Sequence, residues 1–293
     1  MSPPADNTQA WQDWLGREQV LDDTIDLNRA RAMQATLDMA GDKEGGEAPL
    51  ADEDALPPLW HWLYFWHVMP WSKLGPDGHA ARGGFLPPID LPRRMWAGSR
   101  VAFHRPVPLG AAATSRSKIA DIRFKEGRSG KLAFVTVRHE VSAGGAVCLT
   151  DEHDIVYREE AKPGAAKPAG EPAPKDVTWT REVTPDPVFL FRYSALTFNG
   201  HRIHYDQPYA TGVEGYPGLI VHGPLLATLM VEVARRNRPG SRIARFAFRA
   251  LSPIFDTAPF TVAGRAADDG KTAAIWVANP QGQLAMRGEV EFA

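Results

Sequence analysis

The sequence predicts an α+β protein of two units, each a helical layer wrapped by an antiparallel meander. Three observations predict it. The segment 161–175, Ala161-Lys-Pro-Gly-Ala-Ala-Lys-Pro-Ala-Gly-Glu-Pro-Ala-Pro-Lys175, has no apolar side chain large enough to bury and reads as an exposed linker between units 1–160 and 176–293. Residues 224–238 place Leu225, Leu226, Leu229, Met230, Val233 and Ala234 at helical spacing. Four short alternating segments then follow at 243–251, 260–267, 272–279 and 284–292, separated by turn residues.

The elements follow in chain order. In residues 8–40, Trp11, Trp14 and Leu15, then Ile25, Leu27, Ala30 and Met33, repeat at helical spacing, which predicts two helices softly broken at Gly16. An acidic loop, 44–55, leads to Pro57-Pro58 and to residues 59–69, apolar on every face; this predicts a central helix that a sheet surrounds. Beyond a Gly/Pro-rich loop at 75–92, strands are predicted at 101–105, 118–125, 132–141 and 147–157. Ala133, Val135, Val137, His139 and Val141 mark one face of the third. Gly127 to Lys131 reads as a hairpin turn, since it lacks phosphate-loop spacing. In the second unit Pro224 suits the first helical position, and Arg235, Arg236 and Arg238 suit the negative end of the helix dipole. Asp268-Asp-Gly270 and Asn279-Pro-Gln-Gly282 supply hairpin turns.

Composition narrows the function. With 293 residues, 44% hydrophobic and 23% charged, the chain can bury substantial cores without metal or disulfide staples. A net charge of −2 leaves no basic surplus for a phosphate backbone, so nucleic acid is not expected as a partner. The single cysteine, Cys148, in a strand pattern, reads as a buried spectator. The start Met1-Ser-Pro-Pro-Ala-Asp has neither the basic region nor the apolar run of a signal peptide, so the expected location is the cytoplasm. The longest uncharged stretch, 216–231, falls short of the roughly 20 apolar residues a membrane span needs.

The densest polar cluster in apolar surroundings is Tyr193-Ser-Ala-Leu-Thr-Phe-Asn-Gly-His-Arg-Ile-His-Tyr-Asp206, followed by Tyr216-Pro-Gly-Leu-Ile-Val-His-Gly-Pro-Leu-Leu226. Histidines, an asparagine and an aspartate beside a glycine at a helix start suit a site that moves protons next to developing negative charge. The Gly223 N–H can donate to an acyl oxygen, whereas Pro224 has no N–H to give. His201, His204 and Asp206 have spacing a metal could use, but no clear ligand set, and no metal is expected.

Phe198-Asn-Gly-His-Arg-Ile-His-Tyr-Asp206 resembles the hydratase motif of MaoC-like enoyl-CoA hydratases, roughly D-x-N-P-x-H-x-D with a downstream H-G, and is most similar to the hydroxyacyl-thioester dehydratase type 2 branch and the related mesaconyl-C4-CoA hydratases. Leu56-Pro-Pro-Leu-Trp-His-Trp-Leu-Tyr-Phe65, Gly83-Gly-Phe-Leu-Pro-Pro88 and Leu91-Pro-Arg-Arg-Met-Trp-Ala-Gly98 extend the likeness to the first unit. The resemblance implies a double hot-dog: two antiparallel sheets, each wrapped round a long central helix and continuous across the units, in an arrangement that mimics a dimer of single-domain members and leaves a homodimer of this chain open. It implies a hydro-lyase acting on an acyl-CoA, with no cofactor beyond the coenzyme A of the substrate and one active site per chain, the first unit shaping the acyl pocket. His204 falls on the motif histidine, His222-Gly223 on the H-G, and Asn199 stands where the family carries a catalytic aspartate. The implied catalytic set is His204 activating water, Asn199 holding it and Gly223 polarising the thioester; Tyr193, Arg202, His222, Arg93 and Arg94 are the substrate-binding candidates. A neutral Asn199 beside Arg202 points to a short carboxylate-bearing acyl group. A neutral or fatty enoyl chain, a thioesterase and a non-catalytic acyl-CoA-binding module are the alternatives.

Overall fold

The computed structural model describes residues 11–39, 47–80, 83–127, 130–159 and 170–293. Its frame is one ten-stranded sheet in the order β1-β3-β4-β5-β2-β7-β10-β9-β8-β6, with every pairing antiparallel. The strands are β1 (Glu18–Thr24), β2 (Arg93–Phe103), β3 (Ala112–Gly127), β4 (Gly130–Ala143), β5 (Ala146–Arg158), β6 (Trp179–Val183), β7 (Ile243–Ala250), β8 (Phe260–Ala266), β9 (Thr272–Ala278) and β10 (Leu284–Phe292). The α-helices that lie wholly within the described residues are α1 (Leu27–Thr36), α2 (Pro187–Leu196), α3 (Gln207–Gly212) and α4 (Gly223–Asn237). Most of the linker predicted at 161–175, and the tip of the hairpin at 128–129, lie outside the described residues.

The halves join through β2 and β7, where Gly98 faces Arg249 and Ala102 faces Arg245. A Cβ on Gly98 would stand 2.2 Å from the Phe248 carbonyl oxygen, so only glycine lets these strands close here. Helix α4 lies across β6 to β10 and buries ten residues in sequence, from Leu225 to Ala234. Each fully buried leucine or methionine there stabilises by about 1.5–3 kcal/mol relative to exposure. A single apolar cluster runs from Ile25 and Met33 through Leu63 and Val101 to Leu229 and Val290, so the two ends of the chain share one core.

Three predictions for the first half are corrected. Residues 18–24 form an edge strand, not part of a helix: they alternate in exposure and pair residue for residue with β3. The ladder pairs seven residues with β3 and hydrogen-bonds alternate ones, which outweighs a helical spacing carried by few apolar positions. Helix α1 starts only at Leu27, where the Asp26 side chain accepts from the Arg29 N–H at 2.8 Å.

The central helix predicted at 59–69 does not form. Only Trp60–Leu63 makes a 3-10 turn, bracketed by Leu59 at φ +71° and Phe65 at φ +60°. Turning the chain this way buries Trp60, His61, Leu63 and Tyr64 together, and it brings His61 and Trp62 onto the buried Asp151. Bulky aromatic side chains carry little helix propensity to oppose that packing. The strand predicted at 101–105 begins at Arg93, so Arg93 and Arg94, expected beside the loop 75–92 and outside any strand, belong to β2.

Candidate active site

The motif segment is held by local turns and one strand-like contact. Asp186 caps α2 by accepting from the Phe189 N–H at 2.8 Å, and the helix turns Tyr193 and Ser194 into the core. The chain then bends at Phe198, with φ +51°, and the Asn199 Oδ1 accepts the His201 N–H at 3.0 Å in an Asx turn. A 3-10 turn, Arg202–His204, follows. The Ile220 N–H donates to the Ile203 carbonyl at 3.0 Å, which sets His204 against the start of α4.

His204 is buried, and its Nδ1 lies 2.7 Å from the Ile220 carbonyl oxygen. A carbonyl only accepts, so Nδ1 carries the proton and Nε2 keeps a free lone pair. Burial pushes this imidazole down to about 4 against the upward pull of the Ile220 carbonyl, with His79 adding to the downward shift. At neutral pH His204 is therefore an uncharged base. Its ring stacks on His222 at 3.7 Å and 18°. His222 is fully buried, its Nε2 is 2.8 Å from the Ser194 hydroxyl, and burial holds it well below the usual histidine range. The edge of the His222 ring meets Tyr193. Tyr193 is buried with its hydroxyl on Thr228, so it walls the site. The Gly223 N–H, in the first turn of α4, donates to no carbonyl among the described residues, and the space above its Cα is open.

The remaining candidates divide by their partners. Arg202 is committed: its guanidinium pairs with Asp206 at 2.8 Å, donates to the Pro76 carbonyl at 3.0 Å and stacks over Tyr209. Asp206 also caps α3 through the Tyr209 N–H, so His201, His204 and Asp206 do not converge as metal ligands. Arg93 pairs with Glu214. Arg94 is half-buried, its side chain forms no hydrogen bond or ion pair among the described residues, and its charge acts on His201.

Two groups escaped the sequence reading. The loop 75–80 brings Asp77 and His79 against the motif: the Asp77 carboxylate is 3.1 Å from His79 Nδ1, and the rings of His79 and His201 lie 4.0 Å apart. The second group sits on the inner face of β4 and β5. Asp151, fully buried, takes His61 Nε2 at 3.1 Å, Trp62 Nε1 at 2.8 Å and His153 Nε2 at 2.7 Å on one carboxylate oxygen. Beside it His139 bonds Ser117, and Trp96 packs on His153. Arg94 and Trp96 lie two residues apart on β2; the charge of the first acts on His201, and the ring of the second packs on His153. The visible signal for the second group is Asp151 and His153 alternating on a face that should be apolar. For the first there is none, because Asp77 and His201 are 124 residues apart.

The hydroxyacyl-thioester dehydratase type 2 family profile matches residues 59–256. The chain is 48% identical to the mesaconyl-C(4)-CoA hydratase of Chloroflexus aurantiacus over 96% of its own length and 98% of the relative's. Among solved structures, a MaoC-like dehydratase from Phytophthora capsici superposes with a TM-score of 0.68 at 16% identity, covering 95% of this chain and 96% of that one. A Mycobacterium tuberculosis protein described as a double hot-dog fold superposes at 0.52 and 16% identity, covering 96% and 98%. The double hot-dog expected from the sequence is therefore the fold of this chain, realised as one continuous sheet with a long central helix in the second half alone among the described residues.

Proposed function

The chain belongs to the hydroxyacyl-thioester dehydratase type 2 family, and on that premise we propose that it hydrates, and in reverse dehydrates, an enoyl-CoA thioester with a short carboxylate-bearing acyl group of the mesaconyl-C4 kind. The observation that carries the chemistry is His204: an imidazole kept neutral by burial, its Nδ1 proton tied to a carbonyl and its Nε2 free, next to the open N–H of Gly223. His204 Nε2 takes a proton from the attacking water. Asn199, whose Oδ1 is engaged, offers its amide N–H to hold that water. The Gly223 N–H, at the positive end of α4, stabilises the thioester oxygen as it becomes enolate-like. His222, anchored by Ser194, fixes the His204 ring by stacking.

Coenzyme A enters as part of the substrate, and the reaction needs no further cofactor. Arg94 is the better candidate for a carboxylate or phosphate than Arg202 or Arg93, because those two already hold acidic partners. The test is His204→Ala, followed by the ultraviolet absorbance of the enoyl thioester. Turnover is expected to fall about 10²–10⁴-fold; near-wild-type turnover in the folded variant overturns the assignment. The acyl group is tested separately by kcat/KM for mesaconyl-C4-CoA against crotonyl-CoA, where a preference for crotonyl-CoA removes the carboxylate and keeps the hydratase.

A further inference from the structure

Hydration needs a second proton. While His204 takes one from water, the α-carbon must receive another, and Asn199 cannot titrate where the family places an aspartate. The geometry points to Asp77, His79 and His201 as the replacement acid–base unit, an inference that rests on the hydratase reading. Asp77 positions His79, His79 delivers the α-proton, and His201 carries protons between His79 and His204.

Asp77 and His79 come from the first half of the chain and are locked onto the motif by backbone contacts. The Gly75 N–H donates to the His79 carbonyl at 2.7 Å, and the Arg202 N–H donates to the Asp77 carbonyl at 2.9 Å. Gly78, at φ +88°, lies so close to Gly200 that any Cβ would overlap the Gly200 carbonyl. The Asp77 carboxylate accepts from both the His79 N–H at 3.0 Å and His79 Nδ1 at 3.1 Å, and that bonding to His79 holds its carboxyl well below the usual range. A carboxylate only accepts, so His79 Nδ1 carries a proton and Nε2 is the atom left to exchange one. One nitrogen each of His79 and His201 and one carboxylate oxygen of Asp77 lie within 4.8 Å of one another. His201 then meets His204 with rings 5.5 Å apart, edge to face. Burial holds His201 down at about 3, with His79 and His204 contributing, so it is neutral and can accept a proton on one nitrogen while releasing one from the other.

The step balances. Water oxygen bonds to the β-carbon, one water proton goes to His204 Nε2, the π electron pair moves to the α-carbon, and that carbon takes the proton of the His79 imidazolium. His201 then returns the proton from His204 to His79. One water is added and every residue regains its starting state.

The test uses the full-length enzyme with an enoyl-CoA that the wild type hydrates. If the wild type hydrates none, the hydratase reading has failed before any variant is made, and this inference falls with it. With an active wild type, His79→Gln is expected to lower kcat about 10²–10³-fold, with KM little changed. Asp77→Asn removes the anion beside the imidazole, so its kcat/KM profile against pH is expected to depart from that of the wild type. The groups facing His79 in that profile are Asp77 on its own loop and His201 and His204 from the motif, with Arg94 acting through His201. Melting curves confirm that both variants fold; should His79→Gln not fold, the Asp77→Asn profile decides. Wild-type turnover in folded His79→Gln, or an Asp77→Asn profile that superposes on wild type, overturns the relay. Loss of wild-type activity on dialysis against a chelator, restored by zinc, also overturns it and makes the same three side chains metal ligands.

Discussion

Replacing Gly78 with alanine tests whether the loop carrying Asp77 and His79 must lie where the structure puts it. The new Cβ would stand 1.9 Å from the Gly200 oxygen and 2.8 Å from its carbon, both main-chain atoms that cannot swing away. Ordinary contact begins at 3.4 Å, so the two segments must part by 3.4 − 1.9 = 1.5 Å. A shift of that size strains the Arg202 bonds to the Asp77 and Pro76 carbonyls and moves His79 off His201. The residue also sits at φ +88°, which costs a non-glycine residue about 1–2 kcal/mol by itself. Gly16 is the control: its φ is +81° with nothing within 4 Å of a built Cβ, so Gly16→Ala carries the conformational cost without the clash. At about 2–4 °C per kcal/mol for a chain of this size, Gly16→Ala is expected to lower Tm by about 2–8 °C and to leave turnover alone. Gly78→Ala is expected to lower Tm further and to cut kcat/KM about 100-fold, as a displacement of about an ångström near reacting groups does. Thermal melts and the enoyl-thioester absorbance read both. Equal melting and equal hydration rates in the two variants would refute the close packing of the loop on the motif.

Burial that holds His204 at about 4 keeps it uncharged at neutral pH, so the acid limb of kcat/KM it governs is expected near pH 4 and not near 6.5. Because the folded value is the lower one, its contribution to stability declines as pH falls from about 6.5 to about 4, which urea titrations at several pH values measure. Asp151 is pushed up by burial but pulled well below the carboxylate range by His153 and His61, so the stability it contributes is present above about 3.9, its unfolded value, and lost as pH falls through its folded value. Asp151→Asn sets an amide against three N–H donors and is expected to cost about 3–5 kcal/mol in urea unfolding; a cost below about 1 kcal/mol would show that the cluster does not depend on the charge. Phe198 stacks on Trp66 at 4.9 Å and 12°, joining the motif to the first half, and a double-mutant cycle to alanine is expected to return about 0.5–1.5 kcal/mol of coupling.

The second half of the protein was legible in the sequence because its signals are local. Pro224 at the helix start, apolar residues at helical spacing and four alternating runs between turn residues each act over a few positions, and α4 and β7 to β10 form within a residue or two of where they were expected. His204, His222 and Gly223 were visible for the same reason, since the motif is nearly contiguous. The first half was decided by tertiary packing. Residues 18–24 are a strand only because β3 offers its edge, and 59–69 is turned and not helical because its aromatic side chains and His61 find partners on a sheet that is distant in sequence. The pairing of Arg202 with Asp206, which removes a cation the sequence seemed to offer, depends on a side-chain rotamer that composition cannot show. So does the meeting of Asp77 and His79 with His201: a side-chain contact across more than a hundred residues leaves no periodicity behind, and it exists only once two glycines let the backbones touch.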